Sequence, residues 1–128
     1  MSKITRQIEL DFTTLDFYDT YVVCKIKQGV VLNIEDIINL HEIYRAHFKG
    51  KKYGYIFDRT TDYTVDPIGY MQCPFYADVT AFAVVTSNPT TKQIVQFEQK
   101  FAKRELKLFD TLEEAQQWME MIEFSSVA

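Results

Sequence analysis

The residues of this chain best suited to chemistry gather in one stretch: Asp58, Arg59, Asp62 and Asp66, with Thr60, Thr61 and Thr64 among them. Paired acids such as Asp58 and Asp62 are the raw material of acid–base work, but neighbours in a loop become catalytic only where a pocket holds a substrate. The same carboxylates and guanidinium also make a recognition surface. The threonine hydroxyls can accept phosphate, although the spacing singles out none of them. Tyr63, Tyr70, Phe75 and Tyr76 flank the stretch, and Tyr and Phe are favoured in interface cores. A plainer reading stands beside this one. Asp66 before Pro67 suits a helix N-cap, Arg59 can pair with Asp62 or Asp66 in a surface bridge contributing about 0–1 kcal/mol, and the rings can simply cover the core.

The rest of the chain offers little catalytic material. His41 and His47 share a predicted helix but not the i, i+4 spacing that stacks two ligands on one face, and there is no third histidine. No metal and no cofactor is therefore expected. Cys24 and Cys73 form no Cys-x-x-Cys clip and no disulfide framework, and Cys73 before Pro74 reads as a buried, inert thiol. With no Gly-x-Ser-x-Gly elbow and only four glycines, neither a hydrolase nucleophile nor a phosphate-cradling loop is expected. An enzyme is the least favoured class.

Composition narrows the remaining classes. The 128 residues are 47% hydrophobic and 25% charged, which is ordinary globular usage. The excess is aromatic, with ten Phe, eight Tyr and one Trp. A net charge of −4 argues against a nucleic-acid partner, because phosphate binding needs clustered cations. The clusters Lys49, Lys51, Lys52 and Lys100, Lys103, Arg104 follow predicted helices, where cations complement the dipole. No apolar run approaches the roughly 20 residues of a membrane span, and no signal core follows Met1, so the expected address is cytoplasmic.

The elements that must position the charged stretch follow from periodicity. Ile8, Leu10 and Phe12 alternate with Glu9 and Asp11, predicting a first strand over 8–12. A polar stretch around Asp16 and Asp19 separates it from a second strand over 21–27, and the two are expected to pair antiparallel. Asn33 caps a helix that runs to Phe48 with an apolar stripe of Ile34, Ile37, Ile38, Tyr44 and Phe48, closed by a left-handed Gly50. Residues 53–57 read as a buried third strand that opens at Asp58 into the polar loop. A short helix is expected after Asp66-Pro67, then a central strand over 79–85 and a helix from Asn88-Pro89 that buries Ile94, Phe97 and Phe101, widened by Val95 and Ala102. A fifth strand over 106–109 precedes a last helix, capped by the box Thr111 to Glu114, that buries Leu112, Ala115, Met119 and Ile122 with Trp118 beside them.

The expected fold is therefore α/β: a mixed five-stranded sheet with an N-terminal antiparallel pair and helices packed on it, in the order ββαβαβα plus a C-terminal α. From residue 20 to residue 120 the chain resembles the SpoIIAA-like and STAS group of small regulatory domains, which has SEC14-like lipid binders as structural cousins. The likeness rests on the element order, on Ile56-Phe57-Asp58, on Asp66-Pro67-Ile68-Gly69 at a helix start, on the apolar strand through Val85, and on Leu108-Phe109-Asp110 with Glu114-Ala115 and Trp118. In the antagonist proteins of that group the helix start reads Asp-Ser-Ser-Gly and a serine is phosphorylated. Here Pro67 and Ile68 carry no hydroxyl, so that switch is not carried over.

The resemblance implies one STAS-like domain over 1–128 that regulates or binds a protein partner rather than catalyses. The candidate partner-binding residues are Asp58, Arg59, Thr60, Thr61, Asp62, Tyr63, Asp66 and Tyr70. A carrier of a small apolar ligand is the alternative, which the aromatic excess and the SEC14-like kinship motivate. A homodimer through a sheet edge or the aromatic patch is compatible with both.

Overall fold

A computed structural model describes residues 3–59, 64–65, 79–100 and 106–122. It places strands β1 (Arg6–Glu9), β2 (Thr13–Phe17), β3 (Tyr21–Ile26) and β4 (Val31–Leu32) before helix α1 (Ile34–Phe48). Strands β5 (Tyr53–Asp58), β6 (Thr64–Val65) and β7 (Val79–Val85) follow, then α2 (Pro89–Gln99), β8 (Leu106–Phe109) and α3 (Leu112–Met121). Six strands form the main sheet in the order β1-β2-β3-β5-β7-β8, and β4 pairs parallel with β6 in a separate two-stranded ribbon. The first two junctions are antiparallel and the last three parallel, so β3 is where the pairing changes sense.

The α/β class and the mixed sheet agree with the sequence, but the strand count and the order do not. The predicted single strand over 8–12 divides: β1 ends at Glu9, and Leu10 N–H donates to the Thr13 carbonyl at 2.8 Å across a tight reversal. The stretch read as polar is the strand β2, with Thr13, Leu15 and Phe17 buried and Thr14 and Asp16 on the half-buried opposite face. A strand needs only one apolar face, and Thr13 earns its place there by donating to the Lys25 carbonyl at 2.8 Å. The antiparallel partner of β3 is consequently β2, with Leu15 opposite Cys24. The short helix expected after Pro67 lies outside the described residues.

Helix α1 starts as its residues dictate. Asn33 Oδ1 accepts from Asp36 N–H at 2.9 Å and the Asp36 carboxylate accepts from Asn33 N–H at 3.2 Å, a reciprocal box that satisfies donors the helix cannot. Its buried face is Ile37, Leu40, His41, Tyr44 and Phe48, so the stripe takes in Leu40 and His41, which the expected one left out. The helix ends at Phe48 as expected, but its left-handed cap comes one residue before Gly50. Lys49 itself takes the left-handed conformation at φ 54°, and Gly50 follows at φ 79°.

The sheet separates two cores. One face packs Leu15, Phe17, Val22, Cys24, Tyr53, Tyr55, Phe57, Phe82 and Val84 against α1 and against Val95 of α2. The other packs Val23, Ile56, Ala81, Ala83 and Val85 against Ala115 and Met119 of α3. Tyr21 closes that second layer. Its hydroxyl donates to Glu120 at 3.0 Å and accepts from Gln116 at 3.4 Å, and burial, then the Glu120 carboxylate, pushes its ionisation up. Helix α2 departs from expectation: Val95 is fully buried, whereas Ile94 and Phe97 are 44% and 58% exposed. Val95 belongs to the buried cluster that includes Leu106 and Phe82, while Phe101 and Ala102 lie outside the described residues. Asn88 still starts the helix, its Oδ1 accepting from the N–H groups of Thr90 and Thr91. At α3 Thr111 accepts from Glu114 N–H at 3.2 Å. The Glu114 carboxylate meets the Thr111 hydroxyl, which makes a simple N-cap of the expected box.

Candidate functional site

Asp58 is the last residue of β5 rather than the first of a loop, and it is 2% exposed. Register explains why. Lys25 and Asp58 lie opposite each other across the parallel β3–β5 pair, on the face away from α1, and the Lys25 ammonium stands 3.8 Å from Asp58 Oδ2. The Lys25 side chain is 54% exposed while its counter-ion is buried, so the ammonium faces water above a fixed carboxylate. Arg59 continues the ladder, its N–H donating to the Val85 carbonyl at 2.8 Å, and it is half-buried. Thr86, buried beyond the end of β7, accepts from Asn88 N–H at 3.2 Å. These groups line the carboxyl ends of β3, β5 and β7, which is where open parallel sheets tend to bind their ligands.

Of the residues expected from sequence, the fold brings Asp58 and Arg59 to this edge. Thr60, Thr61, Asp62, Tyr63, Asp66 and Tyr70, and with them Cys73, Phe75 and Tyr76, lie outside the described residues. Lys25 was not anticipated. Its relation to Asp58 depends on the register between two strands distant in sequence, and no local pattern announces that.

A second cluster that sequence reading missed lies under α1. His41 is fully buried, with its Nδ1 3.4 Å from the Tyr53 hydroxyl and its ring edge-on to Tyr44 and Tyr55. The thiol of Cys24 stands 3.3 Å from Thr13 Oγ1. Burial lowers the His41 pKa to about 3 and raises those of Cys24 and Tyr44. All three groups are thus neutral at pH 7, and the Cys24 thiol is no nucleophile. The signal was present in the spacing Ile37, Leu40, His41, Tyr44, Phe48, a single helical face of which the sequence reading had Ile37, Tyr44 and Phe48 but not Leu40 and His41. The Tyr44 hydroxyl is buried beside Cys24 and Tyr55, near enough to interact with both but with no hydrogen bond of good geometry. Tyr44→Phe, which removes a poorly satisfied buried polar group, is expected to stabilise the fold by up to about 1 kcal/mol; a denaturant midpoint that falls with the m-value unchanged would contradict this.

The remaining histidine, His47, lies against Phe17 with ring centroids 4.1 Å apart. Its pKa is lowered by burial and then by the Arg6 charge. Among the described residues no group of three or more His, Cys, Asp or Glu could hold a metal ion, and no helix is long and apolar enough to cross a membrane.

The arrangement has counterparts among known proteins. A crystal structure of an uncharacterized protein of the DUF3478 family from Shewanella loihica PV-4, described as having a SpoIIAA-like fold, superposes with a TM-score of 0.59. The match covers 93% of this chain and 95% of that one at 14% identity, a likeness of fold alone. No match was found among curated proteins. The SpoIIAA-like family profile matches residues 24–120, from the middle of β3 to the penultimate residue of α3, a span that takes in β5, β7 and β8. The chain belongs to the SpoIIAA-like family.

Proposed function

We propose that this chain is a non-enzymatic regulatory domain of the STAS type that binds a protein partner through residues 58–69. The observation that carries the reading is the Lys25–Asp58 pair beside Arg59. It sets an ammonium, paired with a buried carboxylate, at the carboxyl edge of the parallel strands, next to Arg59 in the chain and directly before a stretch dense in charge and hydroxyls. The SpoIIAA-like fold supports the regulatory class. Fold alone does not assign a partner, so the site has to do so. An anchored ammonium and a guanidinium suit carboxylates on the facing surface.

The reading favours a protein over a small apolar ligand because the described aromatic side chains are largely spent on one another. Phe48 stacks on Tyr53 at 4.5 Å, Tyr55 on Phe57 at 5.6 Å, and Tyr18 on Tyr21 at 4.5 Å.

The test is affinity capture from the native lysate with wild type and with an Arg59→Ala, Asp66→Ala double variant of verified circular dichroism. One protein retained by wild type and lost from the folded variant is the expected result. Recovery of nothing above a tag control, or equal recovery by both, removes the proposal.

A further inference from the structure

The ribbon that β4 forms with β6 stands outside the main sheet. It pairs Val31 with Thr64 and Leu32 with Val65 in parallel, joining segments far apart in sequence. So short a ladder contributes little stability by itself, and Val31 is 68% exposed, so burial of that side chain does not account for the pairing. Both flanks of β4 are tied to the body of the protein. Before it, Lys27 N–H donates to the Phe12 carbonyl at 2.9 Å. After it, Asn33 opens α1 with its reciprocal cap, and α1 is seated in the core through Ile37, Leu40 and Tyr44. β6, by contrast, lies within residues 58–69. That stretch is already attached at its start, where Arg59 N–H donates to the Val85 carbonyl at 2.8 Å. The ladder on β4 is a second attachment, with residues 60–63 between the two.

We propose that Val31 and Leu32 are positioning residues for the partner-binding stretch, and that their ladder with Thr64 and Val65 fixes its backbone before the partner arrives. This role rests on the reading of residues 58–69 as the binding surface and adds how that surface is held. A segment attached at one end loses backbone and side-chain freedom when a partner orders it, and the loss subtracts from affinity. A segment attached at both ends has lost part of that freedom on folding. Pairing of β4 with β6 and partner affinity are then linked in both directions: opening the ladder weakens binding, and a bound partner holds the ladder closed. Neither Val31 nor Leu32 belongs to the stretch itself, so both can be changed without touching the partner-binding residues.

Val31→Pro and Leu32→Pro, made singly in the full chain, test the role. Successive N–H groups of a strand point to opposite sides, so one of the two residues donates to β6 and the other does not. Proline removes the donor. One variant is expected to speed hydrogen exchange in a peptide covering residues 59–65 at least about tenfold, and to retain about tenfold less of the protein that wild type captures from the lysate. The other is expected to stay within about twofold of wild type in both readouts. Exchange in β3 and β7 and the circular dichroism spectrum should be unchanged in both variants. Retention equal to wild type in both overturns the positioning role while the assignment of 58–69 stands. Equal loss in both overturns it too, because the ladder is then not the cause. A wild type that retains nothing removes the binding assignment and this role with it.

Discussion

Acidification from neutral pH to about pH 4 is expected to cost the fold roughly 3 kcal/mol through His41 alone. The imidazole is buried between α1 and β5 against Tyr44, Tyr53 and Tyr55, and desolvation lowers its pKa from 6.5 to about 3. Protonation inside the fold would place a charge among rings, so the unfolded chain takes the proton first. The sign follows from that order. Above pH 6.5 neither state is protonated at this site and His41 exerts no pH dependence; as the pH falls from 6.5 toward 3 the unfolded state binds the extra proton and stability drops. Denaturant unfolding at a series of pH values, with wild type beside His41→Phe, isolates the effect. Carboxylates elsewhere contribute the same acid slope to both proteins. The variant is expected to lose the part of the slope that begins near pH 6.5, and parallel profiles for the two proteins would show that His41 titrates with solvent access.

Phe17→Ala is expected to destabilise the protein by about 3–5 kcal/mol, the usual range for truncating a fully buried aromatic. Phe17 is inaccessible to solvent and touches Tyr44, His47 and Phe48 at centroid distances of 6.0, 4.1 and 5.9 Å. The adjacent Asp16→Ala, on the opposite face of β2, removes a carboxylate that accepts from the Gln7 side chain at the surface. It is expected to cost at most about 0.5 kcal/mol. The contrast between neighbouring residues is what a strand predicts. Equal, small effects in chemical unfolding would return this segment to the polar connection that its composition suggests.

That comparison shows where the sequence was legible and where it was not. The strands β5 and β7 are covered on both faces, and their near-continuous apolar runs identified them with boundaries right to within a residue. The caps at Asn33, Asn88 and Thr111 were equally readable, because a cap is a local bargain between a side chain and the next turn. Strand β2 was hidden because Thr13, Thr14 and Asp16 count as polar although Thr13 is buried with a hydrogen-bonded hydroxyl. The face of α2 was misjudged because Ile94 and Phe97 are larger and more apolar than Val95, yet the placement of the helix over Leu106 selects Val95. At the candidate site the sequence identified Asp58 as the point where β5 meets the charged stretch, but burial of its carboxylate and the role of Lys25 both arise from pairing between strands.

The separation of the core into two layers has an optical consequence. The chain has one tryptophan, and Trp118 belongs to the α3 layer, half-buried against Phe109. The opposite layer holds Tyr44, Tyr53 and Tyr55. Emission excited at the red edge of indole absorption therefore reports the docking of α3, while far-ultraviolet ellipticity averages over every helix and strand. Coincident unfolding curves from the two signals would identify the sheet as one cooperative unit. If the indole signal changes first, the α3 layer peels away while the tyrosine-rich layer stays intact.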